Sequence, residues 1–240
     1  MIKIEYLYPE ITNLYGDPFN VKYLKNCLRE AEVFETALTE EPRFASEDVD
    51  MIYMGSMSER SQELVIEKLM PYKDRLREMI EVGKVFLLTG NAVEVFENHI
   101  EDSEGTKVEG LGLIDAYAKR NMKNRYNTLF YGEMPDENIK ITGFKSTFSF
   151  SYGDNNNCYA FKSIKGVGIN KESTLEGFRV NNLFGTYLIG PLLVINPDFT
   201  KYIMKLLGEA DPVFSHHSFL SFSDPIFSRK STTALSTSLI

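Results

Sequence analysis

The sequence has no tryptophan, three histidines and two cysteines among 240 residues, and each scarcity removes a class of chemistry. Cys27 and Cys158 are far apart and form neither a CxxC pair nor a Cys/His spacing, so they read as reduced thiols rather than a disulfide framework or a zinc site. No apolar run approaches the roughly 18 residues a spanning helix needs. The start, MIKIEYLYPEI, lacks the basic flank, apolar stretch and small-residue cleavage site of a secretory signal. The expectation is a cytoplasmic protein without a membrane segment. Basic residues are in deficit, 26 Lys and Arg against 34 Asp and Glu, for a net charge of −8. That balance argues against a broad nucleic-acid surface, because neutralising phosphates takes clustered Lys and Arg. The exception, AKRNMKNR at 118–125, reads as a solvated loop, with an anion or acidic-partner contact as the minor alternative.

What is present is ordinary globular material, 43% hydrophobic and 25% charged, in short apolar runs alternating with helical patterns. That alternation predicts βα units on a largely parallel sheet. IKIEYLY (2–8), EVFETAL (32–38) and VDMIYMG (49–55) are the first three strands. Pro18 stands where a first-turn proline belongs, with Asp17 as N-cap of the helix FNVKYLKNCLREA. From Ser58 to Val82 apolar residues recur at helical spacing, at Leu64, Ile66, Leu69, Leu76, Met79 and Ile80. Pro71 should divide this segment and Gly83 close it, and SERSQEL reads as a capped helix start. KVFLLTGNAVEVF (84–96) predicts a buried strand, a tight turn at Thr89, Gly90 and Asn91, then a helix. Beyond Asn98, GLGLIDAYAKR and the alternating IKITGFKSTFSFSYG (139–153) suggest antiparallel strands that extend the sheet. NNLFGTYLIGPLLV (181–194) is another buried strand, and PDFTKYIMKLLG a helix with Pro197 at its start.

Five segments carry a family resemblance: NLYGDPFN, DMIYMGSMSERSQEL, the strand-turn-helix at Thr89, GLGLIDAY and NNLFGTYLIGP. Their order and spacing resemble the class I glutamine amidotransferase-like domains of the cobyric acid synthase and lipid II isoglutaminyl synthase glutaminase-subunit type. The resemblance spans 1–208 and leaves 209–240 as a Ser/Thr-rich tail without helical or strand period. It implies a flavodoxin-like α/β fold, with a mostly parallel central sheet and helices on both faces. It also implies a Cys-His pair that hydrolyses glutamine and passes ammonia to a synthetase. In that chemistry a thiolate at a strained elbow attacks the amide carbon, an imidazole moves the proton and backbone N–H groups hold the oxyanion. The family elbow, Cys-Gly-Gly-aromatic-Gln, is matched to Thr89-Gly90-Asn91-Ala92-Val93, and the histidine of the family's GTYLHGP to Ile189. Gly55-Ser56-Met57 stands for the oxyanion turn, and Ser149-Phe150 for a Gly-Gly-Arg substrate contact.

Both members of the pair are thus absent at their own positions. A threonine hydroxyl needs a base and Ile189 is none, so Thr89 reads as a turn residue bonded to nearby backbone. His99 reads as a surface residue; His216 and His217 lie in the tail, which would have to fold over the elbow to supply a base. The degenerate pocket expected is Gly55, Ser56, Gly90, Asn91 and Phe150, with Asn91 crowding the elbow. Asn13, Tyr15 and Asp17 are placed to face a ligand at the carboxyl end of the first strand. The expected function is a catalytically degenerate subunit, without metal or cofactor, that scaffolds a Mur-ligase-like or other synthetase and binds free glutamine weakly. The alternative is a working amidotransferase or hydrolase of cell-wall or cobalamin-type amidation with relocated catalytic groups.

Overall fold

The computed structural model describes residues 1–209 apart from positions 29 and 136, so the expected tail lies, beyond Glu209, outside the described residues. The first half of the chain runs β1 (Ile2–Leu7), α1 (Pro18–Cys27), β2 (Ala31–Thr36), β3 (Met51–Met54), α2 (Glu59–Leu69), α3 (Lys73–Glu81), β4 (Val85–Thr89) and α4 (Ala92–Phe96). Short strands follow: β5 (His99–Glu101), β6 (Lys107–Glu109), β7 (Tyr117–Arg120), the long pair β8 (Tyr126–Met134) and β9 (Ile139–Thr147), then β10 (Ser149–Tyr152) and β11 (Phe161–Lys165). The chain closes with β12 (Leu175–Glu176), β13 (Phe178–Val180), β14 (Leu183–Thr186), α5 (Leu192–Ile195) and α6 (Pro197–Leu206).

The central sheet has the order β13-β14-β4-β3-β1-β2. Five of its strands are parallel and only β13 is antiparallel. Side chains alternate between its faces, as a period of two requires. Ile52, Met54, Phe86 and Leu88 point into a core closed by α2, α3 and α4, while Met51, Tyr53, Val85 and Leu87 point into one closed by α1, α5 and α6. Burial on both faces explains why β3 and β4 read as unbroken apolar runs. Each such side chain stabilises the fold by about 1.5–3 kcal/mol.

The antiparallel strands do not extend this sheet as expected. They form two separate four-stranded sheets, β10-β7-β5-β6 and β12-β11-β8-β9, because β13 already occupies the edge beside β14. The β8–β9 hairpin instead lays Phe130, Met134 and Ile141 onto the core under α5 and α6.

The helical segment after β3 divides as the sequence predicts. A 3-10 turn at Met70–Tyr72 holds Pro71 between α2 and α3, and Gly83 follows with φ +82°. The Ser58 side chain accepts from the Ser61 N–H at 3.2 Å, a cap worth about 1 kcal/mol. Leu64 is a correction: it is 38% exposed and faces out of the core. Asp17 is another. It precedes α1 but makes no side-chain cap; its carboxylate turns inward, toward the loop after β3.

Candidate functional site

The site lies at the carboxyl ends of β1, β3, β4 and β14, where open α/β sheets bind their ligands. Asp17 is fully buried there. Its Oδ2 accepts from the Ser56 N–H at 2.6 Å, the Ser56 hydroxyl at 2.7 Å and the Thr89 hydroxyl at 3.0 Å. Its Oδ1 has no hydrogen-bond partner of good geometry among the described residues. Burial pushes Asp17 up to about 6, and the donated bonds only partly offset that. Thr89 Oγ1 also lies 3.1 Å from the Tyr53 hydroxyl, which joins the loop after β1, strand β3 and strand β4 in one buried network.

The turn after β3 and the turn after β4 are tied directly. Asn91 Oδ1 accepts from the Met57 N–H at 3.0 Å, and Asn91 Nδ2 donates to the Met57 carbonyl at 2.9 Å. An internal side chain therefore takes the Met57 N–H of the expected oxyanion turn. Gln62 Nε2 donates to the Asn91 carbonyl at 2.7 Å and to Glu94 Oε2 at 2.9 Å, which fixes this arrangement from α2.

The cavity left between these turns is about 20 Å³, with Tyr15, Ser56, Gly90, Asn91, Tyr187 and Ile189 in its wall. One water fits such a space, whereas small-molecule pockets run to about 300–1,000 Å³. Among the described residues no cysteine or histidine lines it. Beneath it runs a buried polar chain that sequence reasoning missed. The Tyr187 hydroxyl donates to Glu94 at 3.1 Å and lies 2.8 Å from the Ser151 hydroxyl, which bonds in turn to Glu97. Burial, reinforced by neighbouring Glu94, pushes Glu97 up to about 8. The one sequence signal was two glutamates in the otherwise apolar AVEVFE.

The expected site residues are only partly brought together. Ser56, Gly90 and Asn91 line the cavity, as does Tyr15, which is 41% exposed with φ 59° and accepts at its hydroxyl from Arg125. Thr89 does not. It ends β4 fully buried, and its partners are the side chains of Asp17 and Tyr53 rather than nearby backbone. Gly55 lies beneath the wall, packed so closely that a Cβ would meet the Thr12 carbonyl at 2.4 Å. Phe150 is away from the cavity, against Tyr126 at 5.3 Å between ring centres. Asn13 donates to the carbonyl of Pro9 at 2.8 Å and so braces its own loop.

His99 is half-buried, not a plain surface residue; its ring stacks on Tyr117 at 5.1 Å. Arg120, in the basic stretch expected to be a solvated loop, is nearly buried and donates to Gln62 at 2.6 Å and Glu63 at 3.1 Å. Both cysteines are free, and burial raises both thiols, Cys27 to about 11. Neither offers a thiolate near neutral pH.

A family model for the CobB/CobQ-like glutamine amidotransferase domain matches residues 3–196. The chain belongs to this family. It is 30% identical over 199 residues to the lipid II isoglutaminyl synthase (glutamine-hydrolyzing) subunit GatD of Staphylococcus aureus, covering 80% of this chain and 79% of the relative. To the corresponding GatD of Streptococcus pneumoniae it is 24% identical over 229 residues, covering 92% and 87%. Among solved structures, PurLQS from Thermotoga maritima matches with a TM-score of 0.59 at 12% identity, over 88% of this chain and 99% of that one. A glutamine amidotransferase matches with a TM-score of 0.56 at 14% identity, over 85% and 98%. At such identities the likeness is one of fold.

This member of the CobB/CobQ-like family therefore carries the family's mixed α/β architecture around a site whose polar groups bond to one another. Among the described residues no cluster of three or more metal-binding side chains occurs, and no helix is long and apolar enough to cross a membrane.

Proposed function

We propose that the chain is a catalytically degenerate amidotransferase-like subunit that docks a synthetase, with a Mur-ligase-like protein as the favoured partner, rather than a glutaminase. The observation that carries this reading is the narrowness of the cavity. Its 20 Å³ leaves no room for a glutamine side chain, and among the described residues it has neither thiol nor imidazole in its wall. The GatD relatives are themselves named as subunits of a synthase, which supports a role within an assembly. The purified chain, alone or with a co-purified partner, is expected to release no ammonia or glutamate from glutamine above a heat-killed control. Calorimetry is expected to show no micromolar glutamine binding. Turnover that vanishes in Thr89→Ala, or micromolar affinity, would sink the reading.

The rival, an enzyme with relocated groups, rests on Ser56. Its hydroxyl lies 2.7 Å from Asp17, a carboxylate that burial brings to about 6 and hence within range of a general base at neutral pH. On that reading Ser56→Ala abolishes whatever hydrolysis is detected.

A further inference from the structure

The turn after β4 places two neighbouring residues on opposite sides. Thr89 is the last residue of the strand, and its side chain points into the Asp17–Tyr53 network at 3.0 and 3.1 Å. Gly90 is the apex, with φ +61°. A Cβ built on Gly90 lies 2.1 Å from the Ser56 hydroxyl oxygen and 2.9 Å from Ile189 Cγ2. A side chain at 90 thus heads into the cavity, straight at the position matched to the family histidine, while one at 89 heads away from it.

We propose that the reacting position of this elbow is Gly90 rather than Thr89, and that the Ser56 hydroxyl fills the place its side chain would take. Three observations converge on this. A reactive residue on a strand-to-helix elbow sits at the strained apex of the turn, and here the left-handed residue is 90. Gly90 and Ile189 share the cavity wall, which Thr89 does not reach. Moving the match by one residue sets Cys-Gly-Gly-aromatic-Gln against Gly90-Asn91-Ala92-Val93-Glu94. That register keeps a small residue, Ala92, at the second glycine and a glutamate of glutamine's shape at the fifth place.

The consequence is specific. The nucleophile was reduced to a hydrogen atom and Ser56 closed over it, anchored by Asp17. Restoring a thiol at 89 would bury it in the Asp17–Tyr53 network. A thiol facing the position-189 side chain requires Gly90→Cys with Ser56→Gly to clear the 2.1 Å clash, and Ile189→His to supply the base. This deepens the degenerate-subunit reading and rests on the same site. Its test reads side-chain direction, not turnover, so either can fail alone.

The experiment is alkylation by iodoacetamide at pH 8, quantified by peptide mass in a Cys27→Ser/Cys158→Ser background. Thr89→Cys is compared with Gly90→Cys/Ser56→Gly, with thermal melts to confirm folding. With Ser56→Gly removing the side chain that fills this space, the thiol at 90 is expected to react roughly tenfold or more faster than that at 89, and Ile189→His to extend that reactivity to lower pH, since a neighbouring imidazole favours the thiolate. If the Gly90 variant does not fold, Thr89→Cys is read alone against the same chain in denaturant, and its thiol is expected to react at least roughly tenfold more slowly in the folded state. A thiol at 89 that reacts as fast as the one at 90, or as fast folded as denatured, overturns the proposal.

Discussion

Replacing Lys145 by alanine is expected to destabilise the fold by about 3–5 kcal/mol, the range for stripping one partner from a buried ion pair. Lys145 lies in β9 with its side chain 1% exposed, and its ammonium donates to Glu176 and to the Gly168 carbonyl. Burial lowers the Lys145 pKa, while Glu176 works to restore it. The rings of Phe130 and Tyr187 stand 5.9 and 5.7 Å from the ammonium. The other oxygen of Glu176 accepts from the Thr186 hydroxyl at 2.8 Å and the Tyr187 N–H at 2.9 Å. The pair joins the two outer strands of the β12-β11-β8-β9 sheet, and the other Glu176 oxygen ties that sheet to the end of β14. Without the amine, the Glu176 Oε2 is left buried without its partner. At about 2–4 °C per kcal/mol for a chain of this size, the melting temperature should fall by roughly 6–20 °C. The double change Lys145→Met with Glu176→Gln should recover most of that, because no buried charge then remains. A fall under about 2 °C for Lys145→Ala would show that the pair contributes little.

The central sheet was legible because its strands are buried on both faces and its helix ends carry local signals. Met51–Met54 and Val85–Thr89 read as strands from composition, and Ser58, Pro71 and Gly83 fix the helix boundaries through chemistry local to each residue. The fate of the 139–153 stretch was not legible. Period-two alternation says that a strand has two faces but not which sheet it joins, and only the occupation of the β14 edge by β13 decides that. The site suffered most from this limit. Its decisive contacts join Asn91 to Met57 across 34 residues and Tyr187 to Glu94 across 93, and no local pattern encodes them. The direction of Thr89 failed for a related reason: shifting a register by one residue sends the side chain to the opposite face. Only the backbone angle at Gly90 shows where the turn begins.

The stability of the chain is expected to fall as pH rises from about 5.5 to about 8.5, opposite to a protein held by salt-bridged carboxylates. Glu97 and Asp17 both hold their protons more tightly when folded, up to about 8 against an ordinary 4.5 and about 6 against 3.8, with burial the main cause. An acid whose folded pKa is raised contributes stability that is fully present below its unfolded value and is lost as pH climbs through the folded one. For Glu97 that window runs from about 4.5 to 8, and for Asp17 from about 3.8 to 6. At about 1.4 kcal/mol per tenfold change in proton affinity, the loss between pH 5.5 and 8.5 is on the order of 3–4 kcal/mol from Glu97 and under about 1 from Asp17, most of whose window lies below pH 5.5. Glu94, also raised by burial, acts in the same direction. The proton on Glu97 has a structural consequence for the site, since Glu97 is bonded to Ser151, Ser151 adjoins Tyr187, and Tyr187 walls the cavity. Ionising Glu97 puts a charge at the foot of that chain, with Oε2 unpartnered, and loosens the wall from below. Thermal melts at fixed ionic strength should therefore give a higher midpoint at pH 5.5 than at pH 8.5. Glu97→Gln, which cannot ionise, should flatten most of the slope and exceed the parent at pH 8.5. A parent profile that is flat or rises with pH, or a Glu97→Gln profile as steep as the parent's, would show that water reaches Glu97 and that the chain beneath the cavity is open rather than sealed.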